Sequence, residues 1–209
     1  MKGERLAVVV LISGRGSNLQ AIIDAAGDSD SPFTVGAVIS NQPGAAGLER
    51  ARRAGIPVEV VDHREYARRE DFDSALAEII NGYDPGLVVL AGFMRILTPA
   101  FVAHYTGRLI NIHPSLLPEF PGLDTHGRAI AAGAAEHGAS VHFVTAALDG
   151  GPLIIQARVP VRAGDDTDTL AARVLEQEHR ILPEAIRWFA AGRLRVKDTR
   201  VLLDGEPAL

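Results

Sequence analysis

The sequence predicts an α/β fold: a single domain on a mostly parallel, twisted sheet flanked by helices. Three observations carry this. Short runs rich in Val, Ile and Leu recur along the 209 residues. Several are continuous rather than alternating, as strands covered on both faces are. Helical patterns separate the early runs, which implies parallel strands joined by right-handed crossovers.

The elements follow in order. "LAVVVLIS" (6–13) is an unbroken apolar run that stops at a glycine turn, and "SNLQAIIDAA" after it has helical spacing. "TVGAVIS" (34–40) and "VEVVD" (58–62) read as the next strands, with "GAAGLERARRAG" as the helix between them. "REDFDSALAEIINGY" is a third helix, "LVVLAG" (87–92) a buried strand, and "TPAFVAHY" a short helix. "RLINIH" (108–113), "SVHFVT" (140–145) and "GPLIIQARVPV" (151–161) complete the strands. The pattern over 166–192 is helical but contains Pro183, so a kink or two helices are expected there. "RLRVKDTRVLLDG" at the tail reads as a short hairpin or an extended cover. No repeat, low-complexity tract or linker divides residues 1–209, whose first half, to about residue 100, looks Rossmann-like.

Composition narrows the chemistry. With 47% hydrophobic residues the chain can bury one substantial core. There is no Cys, so disulfides, thiolate metal sites and cysteine nucleophiles are excluded. A net charge of −5 argues against nucleic-acid partners, although local donors and Arg side chains can still hold an anionic small molecule. The first apolar run is short and lacks a cleavage pattern, and no other run reaches membrane-span length. A cytoplasmic protein with neither membrane nor nucleic-acid partner is expected.

Two stretches hold candidate sites. "SGRGSNLQ" follows the first strand and opens the first helix, where backbone N–H groups of Gly16, Ser17 and Asn18 suit a phosphate. A dinucleotide fingerprint is disfavoured, because Leu19 stands where the third glycine belongs and Asn41, not an acid, ends the second strand. An empty strand-to-helix turn remains the alternative. In "RLINIHPSLLPEFPG", Asn111 and His113 end a strand on the same face, and Pro114, Pro118 and Pro121 make the next segment a stiff loop. Asp149 lies in the turn of "SVHFVTAALDGG" and can reach His113 if the strands are neighbours. Amide, imidazole and carboxylate together suit acyl transfer without a covalent enzyme intermediate. Seven His residues raise the idea of a metal, but none has a ligand spacing and no metal is expected. Taken alone, His113 could also be a hydrogen-bonded structural histidine.

"ISGRGSNLQAII", "LAGFMRILTPAFV", "LINIHPSLLPEFPG", "GASVHFVTAALDGGPLIIQ" and "RVLEQEH" resemble the phosphoribosylglycinamide formyltransferase family over about residues 6–204. The resemblance implies a formyltransferase fold acting in purine biosynthesis, with glycinamide ribonucleotide and 10-formyltetrahydrofolate as small-molecule substrates. It implies Asn111, His113 and Asp149 as the catalytic trio and Gly16, Ser17 and Asn18 as the phosphate loop. Glu178 and His126 would serve the ribonucleotide, and Arg69, Met94, Arg95, Ile96 and Leu97 the folate. The ribonucleotide phosphate would lie on about residues 1–100, with folate and catalysis on about 101–209. "LDTHG" places Asp124 where some relatives carry His, so its role is open, and Arg15 is an auxiliary charge. Two related enzymes are weighed as alternatives. Methionyl-tRNA formyltransferase continues its loop into a Gly-Ala-Ala-Pro segment absent here, and formyltetrahydrofolate deformylase carries an N-terminal regulatory domain. A phosphate-binding module without chemistry would need only "SGRGSN". The state of assembly is left between monomer and weak homodimer.

Overall fold

The computed structural model describes residues 4–209. Its main sheet has seven strands, and the chain divides into two compact units, Met1–Ile110 and Asn111–Leu209.

The N-terminal unit runs β1 (Leu6–Ile12), α1 (Ser17–Gly27), β2 (Phe33–Ser40), α2 (Gly47–Arg53), β3 (Val58–Val60), a 3₁₀ turn (His63–Glu65), α3 (Arg69–Gly82), β4 (Leu87–Leu90) and α4 (Pro99–His104). The strands lie in the order β3-β2-β1-β4, all parallel. Val8 to Ile12 and Leu87 to Val89 have no exposed surface, which explains their continuous apolar sequences. Gly36 is the extra residue of a bulge: Val8 pairs with Val35 and Val9 with Ala37. The chain steps outward from β1 to β3 and then returns to the other side of β1, so the β1 and β4 ends form the switch point at which doubly wound sheets bind ligands.

The C-terminal unit takes in the end of β5 (Leu109–His113), then α5 (Thr125–Ala131), β6 (Glu136–Phe143), β7 (Leu153–Pro160), α6 (Thr167–Ala190) and the strands β8 (Leu194–Lys197), β9 (Arg200–Leu203) and β10 (Glu206–Pro207). β6 and β7 are antiparallel, and α6 packs on both. Leu170, Val174, Ile181, Leu182, Ala185 and Ile186 form the buried stripe of α6.

Three sequence expectations are corrected. Of the two readings of Pro183, the break into two helices is not found: α6 runs through it, and the buried side chains Ile181, Leu182, Ala185 and Ile186 hold both halves to the same core. β6 begins at Glu136 rather than Ser140; its early part, "EHGA", has no β-branched residue, and Gly138 is needed because a Cβ there would lie 1.9 Å from the Ala157 carbonyl oxygen. The stretch between Asp124 and β6 contains the short helix α5, hidden by Gly127. The tail forms the expected hairpin, β8 against β9, and β10 adds to it to give a three-stranded sheet in the order β10-β9-β8. Among the described residues no helix is long and apolar enough to cross a membrane.

His137 on β6 is fully buried, edge-on to the rings of His126 (5.2 Å) and Phe120 (5.8 Å). Burial pushes its imidazole down to about 4, and the adjacent His126 adds repulsion. Between pH 6.5 and about 4 the unfolded chain therefore binds a proton that the folded chain refuses, and stability falls as pH falls through that window. The full effect is on the order of 3 kcal/mol, at about 1.4 kcal/mol per pH unit. Urea unfolding at pH 7 and pH 5 is expected to show a smaller loss of stability in His137→Gln than in the wild type. Equal losses would mean that other groups carry the effect.

Candidate active site

β5 delivers Asn111 and His113 to its carboxyl end, as the two-residue period requires. The His113 Nδ1 faces Asp149 Oδ2 at 3.5 Å, and its Nε2 lies 3.1 Å from the Phe120 carbonyl oxygen. Both ring nitrogens thus look at oxygen acceptors, and a ring carrying two N–H groups would satisfy both. Asp149 sits in the left-handed region (φ 49°), and its Oδ2 also accepts the Gly122 N–H at 2.8 Å. Gly151 lets the turn close on β6, because a Cβ there would come within 1.8 Å of the Phe143 carbonyl oxygen. The proximity of His113 and Asp149 expected from sequence is therefore present.

His142 joins them, and sequence reasoning did not single it out except as an unsuitable metal ligand. Its Nδ1 lies 2.9 Å from the Phe143 carbonyl oxygen and its Nε2 lies 3.2 Å from Asn111 Nδ2. Burial depresses its pKa, so the ring is neutral near pH 7. The proton then belongs on Nδ1, donated to Phe143, and Nε2 accepts from the Asn111 amide. One Asn111 N–H remains for a ligand. Asp149 Oδ1, 3.8 Å from that Nε2, is too distant for a hydrogen bond. The only sign of His142 in the sequence was an imidazole between Val141 and Phe143 near the end of a strand.

The proline-rich loop is fixed by hydrogen bonds as well as by its prolines. Ser140 on β6 donates its hydroxyl to the Ser115 carbonyl (2.6 Å) and accepts the Leu117 N–H (3.1 Å), while Gln156 on β7 donates to the Leu117 carbonyl (2.9 Å). This holds the chain so that Phe120 and Gly122 meet His113 and Asp149.

In the N-terminal unit, Gly16 (φ 71°) precedes α1, and Ser17, Asn18 and Leu19 supply its first N–H groups, which have no carbonyl one turn back. Gly47 N donates to the Gly14 carbonyl (3.0 Å), and Arg50 Nε donates to the Arg15 carbonyl (3.0 Å), so α2 braces this turn. A Cβ on Gly16 would approach Gly47 Cα to 2.6 Å. After β4 the expected strand stops at Leu90, because Gly92 turns the chain at φ 78°. Met94 and Ile96 are then 68% and 59% exposed, while Arg95 tucks its guanidinium over Phe72, 5.0 Å from the ring centre. Leu97 is half-buried beside them.

Of the other candidates, Arg69 is exposed at the start of α3, and Asp124 (φ 52°) precedes α5. His126 is half-buried on α5, with its pKa lowered mainly by burial. Glu178 lies buried within the apolar stripe of α6.

The comparisons with known proteins agree along almost the whole chain. A formyl transferase family pattern matches residues 6–186. The phosphoribosylglycinamide formyltransferase of Escherichia coli K12 is 58% identical over 199 residues, covering 95% of this chain and 94% of its own. The solved structure of the Coxiella burnetii phosphoribosylglycinamide formyltransferase superposes with a TM-score of 0.93 at 55% identity, over 98% of this chain and 96% of that one. A formyltetrahydrofolate deformylase from Pseudomonas syringae is more distant, with 26% identity and a TM-score of 0.89, over 97% of this chain and 67% of its own. Identity above one half, sustained over nearly the full length of both chains, shows that this chain belongs to the phosphoribosylglycinamide formyltransferase family.

Proposed function

We propose that the protein transfers the formyl group of 10-formyltetrahydrofolate to the amino group of glycinamide ribonucleotide, a step of de novo purine biosynthesis. The observation that carries this reading is the Asn111–His113–Asp149 grouping in a chain 58% identical to a phosphoribosylglycinamide formyltransferase. No metal is assigned a role in this reading.

The reaction is a direct acyl transfer. The ribonucleotide amine attacks the formyl carbon, the carbonyl oxygen becomes an oxyanion, and the bond to N10 of the folate breaks as that nitrogen gains a proton. The second N–H of Asn111 donates to the oxyanion, and His113 can add a donor only as its Nε2 leaves the Phe120 carbonyl for the substrate. Asp149 supplies the negative charge beside His113, and the imidazole passes protons between the attacking amine and the leaving nitrogen. The loop and the β6 side chains behind it fix these groups before substrates arrive, which lowers the entropic part of the barrier.

The phosphate of the ribonucleotide is assigned to the N–H groups of Gly16, Ser17 and Asn18 at the start of α1, where the helix dipole favours an anion. The exposed apolar side chains of Met94 and Ile96, with Leu97 and Arg95, are assigned to the folate. Arg69 would meet its acidic tail, while Glu178 and His126 would orient the ribonucleotide. The division of labour between halves, ribonucleotide phosphate on about 1–100 and folate and catalysis on about 101–209, is kept as part of the proposal, with Arg69 and residues 94–97 of the first half also serving the folate. Deformylase chemistry, with water in place of the amine, is the second reading, since the same trio would suit it; the identity to the formyltransferases, twice that to the deformylase, favours the first.

His113→Ala is expected to lower kcat by about 10²–10⁴-fold, and Asp149→Asn by about 10²-fold, with circular dichroism and melting unchanged. Wild-type turnover in either folded variant would remove that residue from the reaction. Gly16→Ala, which must relieve both a positive φ and a 2.6 Å contact, should raise KM for glycinamide ribonucleotide about tenfold or more while KM for 10-formyltetrahydrofolate stays within about twofold. Equal changes in both constants would place the phosphate elsewhere.

A further inference from the structure

Residues 91–98 connect β4 to α4 with neither helix nor strand of their own. Two of their backbone N–H groups are instead taken by side chains from distant parts of the N-terminal unit. Met94 N donates to Ser13 Oγ at 2.7 Å, and Thr98 N donates to Asp73 Oδ2 at 2.6 Å. Between these two points Met94 and Ile96 face outward and Arg95 inward over Phe72, the neighbour of Asp73 in α3. We propose that Ser13 and Asp73 are positioning residues that anchor the two ends of the 94–97 segment and so fix the shape of the folate pocket; this rests on the reading above that 94–97 takes the folate.

The Ser13 anchor has a defined direction. Its hydroxyl proton is given to Asn41 Oδ1 at 2.5 Å, so Oγ faces Met94 with lone pairs alone, and its own N–H donates to the Gly92 carbonyl at 3.1 Å. Asn41 is itself held by His63, whose Nδ1 lies 2.9 Å from the Asn41 carbonyl oxygen and 3.2 Å from its Nδ2. The hydroxyl is thus backed by side chains at the ends of β2 and β3 and cannot follow the segment if it drifts.

The Asp73 anchor stands out for what it gives up. The residue is only 3% exposed, and its second carboxylate oxygen is buried with no hydrogen-bond partner among the described residues. A half-satisfied buried carboxylate is a poor choice for packing alone. What it provides is an acceptor at Thr98, where the segment turns into α4 and Thr98 Oγ1 in turn caps Phe101 N at 3.3 Å. Fixing both ends keeps two apolar side chains presented to solvent, which otherwise would collapse onto the nearest surface, and a preformed site loses less entropy on binding.

The test is steady-state kinetics with both substrates, together with calorimetric titration of tetrahydrofolate. Ser13→Ala and Asp73→Ala should each raise KM for 10-formyltetrahydrofolate and Kd for tetrahydrofolate about three- to tenfold, the equivalent of one lost hydrogen bond. KM for glycinamide ribonucleotide and kcat should stay within about twofold. Ser13→Thr and Asp73→Asn, which keep an oxygen acceptor, should recover most of the loss. Ile96→Ala, a residue of the segment itself, calibrates the reading beneath the proposal. If Ile96→Ala weakens folate binding while the folded Ser13→Ala and Asp73→Ala variants do not, the anchors are idle and the proposal fails. If Ile96→Ala is also without effect, the assignment of folate to this segment fails first and the proposal with it. A parallel rise in both KM values would indicate general loosening and also overturns it. Should Asp73→Ala not fold, Ser13→Ala, a smaller side chain at a half-buried site, still decides the matter.

Discussion

The carboxylate of Asp149 is the constraint around which the end of the C-terminal unit is organised. Its backbone occupies a left-handed conformation that a non-glycine residue adopts only when its surroundings hold it there. Here two features hold it: the Gly122 N–H bound to one oxygen, and the glycine behind it that lets the turn press on the end of β6. The same oxygen fixes the distance to His113. Loosening the turn would therefore free the proline-rich loop and the imidazole together.

The N-terminal unit meets a similar demand with less charge. Its turn after β1 presents main-chain donors, and they stay in place because α2 approaches so closely that a side chain at Gly16 or Gly47 has no room. The segment after β4 relies on borrowed acceptors. In both units some of the groups that would face ligand, Asp149 in one and Met94 and Ile96 in the other, lie on irregular backbone braced by regular elements, the arrangement by which a loop can be as well placed as a helix.

Much of this was legible in the sequence, and the reasons differ by element. β1 and β4 were readable because burial on both faces leaves no polar residue in the run. α1, α3 and α6 carried enough helical turns for their periodicity to show. The early half of β6 was not readable, since its glycine answers to a backbone across the hairpin and its His137 to a buried environment that composition cannot reveal. α5 was too short to display a period. Asn111, His113 and Asp149 could be named from residue type and spacing, yet their meeting depends on how two strands and two loops converge. His142 escaped notice because a histidine in a strand has no sequence mark that separates a packing residue from one that directs a neighbour. Ser13 and Asp73 escaped for a related reason: each acts on a main-chain N–H of a residue 81 or 25 positions away, and a backbone donor leaves no letter in the sequence.

The pairing of His142 with the Phe143 carbonyl fixes the direction in which the hydrogen-bond chain runs. A peptide oxygen cannot give a proton, so the imidazole beside it must, and the far nitrogen is left able only to receive. The Asn111 amide is thereby oriented like a compass needle: its NH₂ end is drawn to the ring, and a rotation by half a turn would oppose two lone pairs. An immovable main-chain atom, through one ring, thus sets the polarity of the edge that Asn111 offers to whatever approaches it.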